Sequence, residues 1–291
     1  LSGAACAIPA IMSTRNIENW KDRLITIMVT PLMSCSARLP VYTLLISMAI
    51  PNTPVIGFIS LQALVMLSMY VLGTVAALVA AVVFKWLIKY NIPSYFIMEL
   101  PVYHSPRWGN IWVNCWHKSK SFVTEAGKII LIISVVLWFL ASYGPKTDRS
   151  LSIQESHSLE QSYAGHFGKA IEPSIAPIGF DWKIGIALIT SFAAREVFVG
   201  TMSTIYSVGD EEDFDQLREK MKKDRHKNGE PVYSLAAILS LMVFYAFAMQ
   251  CMSTLAVVYK ETRSWKWPTI QFVYMTVLAY FGSWVTFNVF S

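Results

Sequence analysis

Thr26-Ile27-Met28-Val29-Thr30-Pro31-Leu32-Met33-Ser34-Cys35-Ser36-Ala37-Arg38-Leu39-Pro40-Val41-Tyr42 is the stretch whose reading decides the fold class. It lies within an apolar run from Leu24 to Ile50, long enough to cross a bilayer, which takes about 20 apolar residues. Pro31, Arg38 and Pro40 interrupt that run. Proline removes a backbone donor and clashes with the preceding turn, and a charge at such a depth is costly. The stretch therefore reads as a broken membrane helix.

Outward from it, apolar runs recur along the chain. Leu61 to Leu87 is a conventional span that closes on Lys85 and Lys89. Asn91 to Ser121 is mixed and carries Trp108, Trp112 and Trp116, as a segment at the headgroup level does. Phe122 to Tyr143 is the next span, and Gly144 to Asp181, with His157 and His166, reads as a polar outer loop. Ile184 to Val208 is apolar but holds the adjacent charges Arg195 and Glu196. Gly209 to Pro231, with eight acidic and six basic residues, reads as a solvated loop. Tyr233 to Val257 and Thr269 to Phe290 are closing spans. The expectation is an all-α polytopic membrane protein of about six apolar segments, two of them broken helices.

Composition agrees. Of 291 residues 54% are hydrophobic and 15% charged, against roughly 25% charged in a soluble domain. The net charge of +5 comes from Lys and Arg that flank the spans, a pattern of membrane topology rather than of a phosphate footprint. Lipid, not nucleic acid, is the expected surrounding. With six alternating spans, fourteen basic residues fall on the side of the first residues and seven on the other, which assigns the first residues to the cytoplasm. The chain opens at Leu1 with no initiator Met and no leader-like sequence, so it is expected to be part of a longer protein.

The chain also repeats itself. Met12-Ser13-Thr14 precedes Met33-Ser34-Cys35, and Met202-Ser203-Thr204 precedes Met249-Gln250-Cys251. In each copy a Leu follows the Cys by four residues and a Val by six: Leu39 and Val41, Leu255 and Val257. Transporters built from two inverted halves hold their substrate near the midplane, at discontinuous helices in corresponding positions. An inverted repeat is therefore expected here.

These segments carry a family resemblance. Cys6-Ala7-Ile8-Pro9-Ala10-Ile11-Met12, the run from Thr26 to Tyr42, and Ala194-Arg195-Glu196-Val197-Phe198-Val199-Gly200-Thr201 resemble the two Gate motifs of the ferrous iron transporter B family, FeoB. Met98-Glu99-Leu100-Pro101 resembles a stretch of the core between them. The resemblance implies a multi-pass inner-membrane Fe(II) permease, with a first Gate segment at 1–60, core spans at 61–182, and a second Gate segment with closing spans at 183–291. It also implies a GTP-binding domain preceding this region, small cytoplasmic Feo accessory proteins as partners, and Fe(II) as cargo rather than as a resident cofactor; homo-oligomerisation stays open. No phosphate-cradling G-x-x-x-x-G-K-[ST] occurs, and Gly165-His166-Phe167-Gly168-Lys169 has the wrong spacing. GTP is accordingly expected to act only through the preceding domain, and this chain is not expected to be an enzyme.

Ferrous iron accepts thiolate, imidazole and carboxylate ligands. Four cysteines, Cys6, Cys35, Cys115 and Cys251, show no CxxC and no zinc spacing, so free thiols are expected. Cys35 sits between two prolines where freed carbonyls add oxygen donors; as a residue alone it reads equally as a small buried hydrophobe, and the resemblance favours the ligand. Cys251 follows through the repeat, and Cys6 through the Gate pattern. Glu196 has two readings, a ligand or a counter-charge to Arg38 or Arg195. Glu99, before Pro101, is a ligand at the mouth or a solvated carboxylate. Cys115 reads as structural. An organic-solute transporter, of nucleosides for example, and a non-transporting membrane partner are the competing classes.

Overall fold

The computed structural model describes residues 2–51, 53–56, 59–88, 107–142, 163–192, 195, 197–206, 214–225, 229, 231–249 and 251–291. Glu99, Glu196 and His157 lie outside these, as does the side chain of His166. Apart from a small β-ribbon, β1 (Pro54–Ile56) with β2 (Ile59–Ser60), the regular elements among the described residues are helical.

Four stretches are long and apolar enough to cross a membrane: Trp20–Ala49, Leu61–Leu87, Leu235–Thr262 and Lys266–Phe290. The first is broken as the prolines require. Helix α3 (Trp20–Val29), N-capped by Asn19, ends before the 3-10 turn Thr30–Leu32, which holds Pro31. Met33 and Cys35 have extended backbone, the turn Ser36–Arg38 follows, and α4 (Leu39–Ala49) resumes with Pro40 in its first turn. A missing N–H costs nothing there, because first-turn donors have no intrahelical partner. Helix α5 (Leu61–Leu87) is continuous and capped by Ser60.

The N-terminal helices α1 (Ser2–Ala5) and α2 (Ala7–Ser13) precede α3, and α2 packs on α12 (Met252–Thr262). Arg15, two residues past α2, meets Glu261, the penultimate residue of α12, at 2.5 Å, and Arg23 of α3 meets the same carboxylate at 2.7 Å. The two helices therefore run in parallel, with Cys6 and Cys251 preceding them at the same end. Ala7, Ile8, Ile11, Ile27, Val257 and Val258 fill the space between the cysteine end and the ion pairs. The end marked by Arg15, Arg23 and Glu261 is termed the first face.

Helix α6 (Trp108–Ser142) is one uninterrupted helix of 35 residues, so the expected boundary between an interfacial segment and a span at Ser121 is absent. Its Trp108, Trp112 and Trp116 are exposed. The expected loop from Gly144 to Asp181 contains α7 (Tyr163–Ile175), whose Gly168 approaches Trp182 and Ile186 closely.

The described residues of the expected span from Ile184 to Val208 do not form a single crossing. Helix α8 (Trp182–Ser191), capped by Asp181, and α9 (Val197–Ile205) fold back on each other, with the Thr190 and Thr201 hydroxyls 2.8 Å apart. Lys183 at the start of α8 and Tyr206 just past α9 both bond the Asp224 carboxylate, at 2.6 and 2.5 Å. The pair is a re-entrant hairpin that enters and leaves by one face, the second. The expected solvated loop after it contains α10 (Phe214–Lys223), which turns Leu217 and Met221 into the core against α4.

Helix α11 (Leu235–Phe247), capped by Ser234, starts at the second face beside Tyr233, whose hydroxyl lies 3.2 Å from that of Tyr206. After a break that includes Ala248, Met249 and Cys251, α12 carries the chain to Glu261 at the first face. Helix α13 (Lys266–Phe290) returns: Gln271 and Tyr274 near its start donate to the Ile27 and Met28 carbonyls of α3, and Ser283 meets Ser240 of α11 at 2.6 Å. Phe84, near the end of α5, stacks edge-on against Tyr274 at 5.2 Å.

The order of elements therefore occurs twice with opposite sense. A short helix ends at a face (α2, α9), a broken crossing follows (α3 with α4, α11 with α12), and a continuous crossing returns (α5, α13). The first set starts from the first face and the second from the second, which is the arrangement expected of an inverted repeat. Because the hairpin does not cross, Arg218, Lys220, Lys222, Lys223 and Arg225 share the face of Lys183, while Lys260, Arg263 and Lys266 share the face of Arg15. The charge bias counted from six alternating spans is largely lost, and it no longer orients the chain.

Candidate functional site

Four interruptions of helix are tied together in two pairs. The Ser36 hydroxyl donates to the Ala5 carbonyl at 3.0 Å, which ties the break at Cys35 to the one at Cys6. The Met252 N–H donates to the Phe192 carbonyl at 3.0 Å, which ties the break at Cys251 to the turn of the re-entrant hairpin. Arg195, buried in that turn, donates to the Ala248 carbonyl at 2.7 Å and to that of Met249. Its guanidinium lies 4.9 Å from the centre of the Tyr245 ring. A helix end exposes carbonyls that hydrocarbon cannot satisfy, and here an arginine from another element satisfies two of them.

Three of the sequence-derived candidates share one local geometry. Cys6, Cys35 and Cys251 each have extended backbone immediately before a helical segment, and none caps it with its side chain. Cys35 is buried, while Cys6 and Cys251 are partly exposed. The Cys251 thiol lies 3.2 Å from the Thr254 hydroxyl. Cys115 is exposed, within the uninterrupted helix α6. Glu196 and Glu99 fall outside the described residues, and among the described residues no three of His, Cys, Asp and Glu gather closely enough to hold a metal ion.

The centre is cationic. Arg38 is fully buried, and its Nε and both Nη atoms have no hydrogen-bond partner among the described residues. Arg195 lies close enough to Arg38, Cys35 and Tyr42 to interact with them electrostatically, and Tyr70 of α5 lies close enough to Tyr42, Cys35 and Arg38. Gly73 of α5 lets the break approach: a Cβ there would stand 3.0 Å from the Ser34 hydroxyl and 3.2 Å from the Leu32 carbonyl. At the second face, burial, then the Tyr233 and Asp224 side chains, hold the Tyr206 phenol above its ordinary pKa, so it stays a hydrogen-bond donor.

Comparison with known proteins fits this arrangement of breaks. A family model named Gate, described as "Nucleoside recognition", matches residues 1–49 and 123–265, the two segments that hold the cysteine-bearing breaks and the hairpin. A second, described as "Ferrous iron transport protein B C terminus", matches residues 66–118 between them. The chain belongs to the FeoB family. A relative from Leptospira interrogans, Fe(2+) transporter FeoB, is 51% identical over 295 residues, which cover 99% of this chain and 42% of that protein. The FeoB transporter of Methanocaldococcus jannaschii is 36% identical over 279 residues, covering 96% of this chain and 39% of its own length. A Porphyromonas gingivalis relative, named as a fusion of Fe(2+) transport protein A with Fe(2+) transporter FeoB, is 35% identical over 320 residues, covering 99% of this chain and 37% of its own. The chain thus spans about two fifths of the length of these FeoB proteins. No solved structure matches it. The FeoB assignment is consistent with a multi-pass membrane protein whose two Gate segments supply the breaks.

Proposed function

We propose that this chain forms the membrane pathway for ferrous iron in an inner-membrane FeoB transporter. The observation that supports this reading is the common placement of Cys6, Cys35 and Cys251 at extended positions before helices, the breaks at Cys6 and Cys35 tied through Ala5 and Ser36 and the break at Cys251 tied to the hairpin turn through Met252 and Phe192. Cysteine sulfur and backbone carbonyl oxygen are donors that Fe(II) accepts, and the midplane of an inverted repeat is where a transported ion is expected. Cys35 and Cys251 act as ligands in this reading, with Cys6 on the parallel helix beside Cys251. Glu196 adds the negative charge a divalent cation needs, and Glu99 serves the mouth.

GTP acts through the preceding domain of the full-length protein, and the fused relative from Porphyromonas gingivalis supports a small Feo protein as partner. This chain itself performs no hydrolysis in the scheme. Anaerobic uptake of radiolabelled Fe(II) by cells expressing the full-length protein tests the reading. Cys35→Ser and Cys251→Ser should each lower uptake severalfold at unchanged membrane level, and Cys115→Ser should leave it intact. Normal uptake in the Cys35, Cys251 double variant would remove the thiol route. The description of the Gate family as nucleoside recognition favours the organic-solute class as the second reading; there both cysteines tolerate Ser.

A further inference from the structure

We propose that Ser34, Arg38 and Tyr42 form a binding site for a small inorganic anion beside Cys35, in the interior of the membrane region. The three residues stand four apart along the first broken helix, and all are buried, at 3%, 0% and 0% exposure. The Ser34 Oγ, the Tyr42 hydroxyl and every guanidinium nitrogen of Arg38 lack a hydrogen-bond partner among the described residues. A guanidinium carries five N–H donors, accepts nothing and does not deprotonate in proteins. A buried charge must therefore be compensated by an opposite one.

The groups close enough to act on Arg38 deepen the deficit. Arg195 brings a second positive charge and is turned to the Ala248 and Met249 carbonyls, and the other side chains that reach Arg38, those of Tyr70 and Tyr245, bring phenol hydroxyls rather than a carboxylate. The site thus offers donors and positive charge. Among the described residues its missing component is an anion that can accept from the guanidinium and the two hydroxyls at once. The close approach of α5 at Gly73 leaves no room for a methyl group between it and Ser34, so that side of the site is closed, and a monatomic anion, chloride, is the probe suited to so confined a place. Anion occupancy stands apart from the identity of the cargo. If the cargo is ferrous iron, the anion offsets the repulsion that two guanidiniums would exert on a divalent cation at Cys35.

The test uses iron-free full-length protein in detergent, with thermal unfolding followed in sodium chloride and in sodium gluconate at equal ionic strength. Wild type should gain roughly 5 °C at saturating chloride, because a ligand bound only by the folded state stabilises it. Arg38→Met should lose that gain, and in gluconate it should be at least as stable as wild type, since it removes an uncompensated buried charge. Equal melting in both salts, or a full chloride gain in Arg38→Met, overturns the proposal. So does a marked loss of stability of Arg38→Met in gluconate, which would show that the guanidinium already has a partner within the protein. Tyr42→Phe keeps the ring and decides the matter if Arg38→Met does not fold. It should raise the chloride concentration at half-effect severalfold, and an unchanged value overturns the site.

Discussion

Lys183 and Asp224 meet at 2.6 Å across 41 residues of sequence, and the same carboxylate holds the Tyr206 hydroxyl at 2.5 Å. Lys183 opens α8 and Tyr206 follows α9, so one acidic side chain pins both ends of the apolar hairpin to one face. The sidedness of the chain depends on this contact, because it decides whether the chain changes sides across the run from 184 to 208.

Sidedness is therefore measurable with single cysteines in a Cys115→Ser background of the full-length protein. Glu219→Cys and Lys169→Cys should react with a membrane-impermeant maleimide from the same side, and Glu18→Cys and Arg263→Cys from the opposite side. All four positions are exposed. Labelling of Glu219→Cys together with Glu18→Cys would mean that the hairpin crosses after all.

The first face is held by Glu261, whose side chain is 3% exposed and takes Arg15 and Arg23 together. The two arginines are not equivalent: the Arg15 side chain is 49% exposed and that of Arg23 22%. Glu261→Gln leaves both cations without their counter-charge and should cost about 3 kcal/mol, at the low end for a broken buried pair because solvent reaches the partners. Arg15→Ala should cost less than about 1 kcal/mol, as exposed ion pairs do, and Arg23→Ala should fall between. Thermal unfolding of the three variants checks the order, and an equal loss for Arg15→Ala and Glu261→Gln would contradict it.

Helix breaks were legible in the sequence where proline made them. Pro31 and Pro40 announced the interruption at Cys35, and the structure has it there. The break at Cys251 has neither proline nor glycine between Phe247 and Met252, so only the repeat with Cys35 pointed to it. What holds it open is Arg195, 53 residues away from the carbonyl it serves, and such a contact has no local signature. The same limit hid the hairpin. An apolar run of about 25 residues has the composition of a crossing whether or not it turns back, and the reversal rests on Thr190 with Thr201 and on Asp224, which belong to three separate elements. The burial of Arg38 was equally hidden, since a charge flanking a proline break reads as readily toward water as toward the core. The shared placement of Cys6, Cys35 and Cys251 does carry a local signal, since each cysteine directly precedes a helix start.

Close approach of the broken helix to α5 and of α13 to the turn after α7 makes two glycines sensitive. A Cβ at Gly73 would stand 3.0 Å from the Ser34 hydroxyl and 3.2 Å from a backbone carbonyl, which cannot rotate away. Gly179 has φ +82° and faces the Phe287 ring, so alanine there is both strained and obstructed. Gly73→Ala should cost about 1–3 kcal/mol, as overpacking does, and Gly179→Ala at least as much. Gly127, with open space around it, should tolerate alanine or gain up to about 1 kcal/mol of helix propensity. Thermal unfolding of the full-length variants separates the three, and a neutral Gly73→Ala would show that α5 and the break are not tightly apposed.

Arg195 joins the hairpin to the second break, and its replacement is the most direct test of whether that break is a built feature. Its guanidinium serves the Ala248 and Met249 carbonyls while lying over Tyr245. Methionine fills a similar volume but donates nothing, so Arg195→Met leaves both carbonyls unsatisfied at a depth where no water replaces the bond, a loss of about 1–3 kcal/mol for each. Lysine keeps the charge as a point donor that lacks the planar fork, so Arg195→Lys should recover part of the loss. The reactivity of Cys251 gives a second readout, because the thiol precedes the helix that this contact positions. In Arg195→Met its labelling by a permeant maleimide should change severalfold, and Arg195→Lys should restore it toward wild type. A melting temperature and a Cys251 labelling rate both unaltered in Arg195→Met would mean that the break stands without Arg195, and the link between the hairpin and the cysteine-bearing helix would have to be carried by the Met252 to Phe192 bond alone.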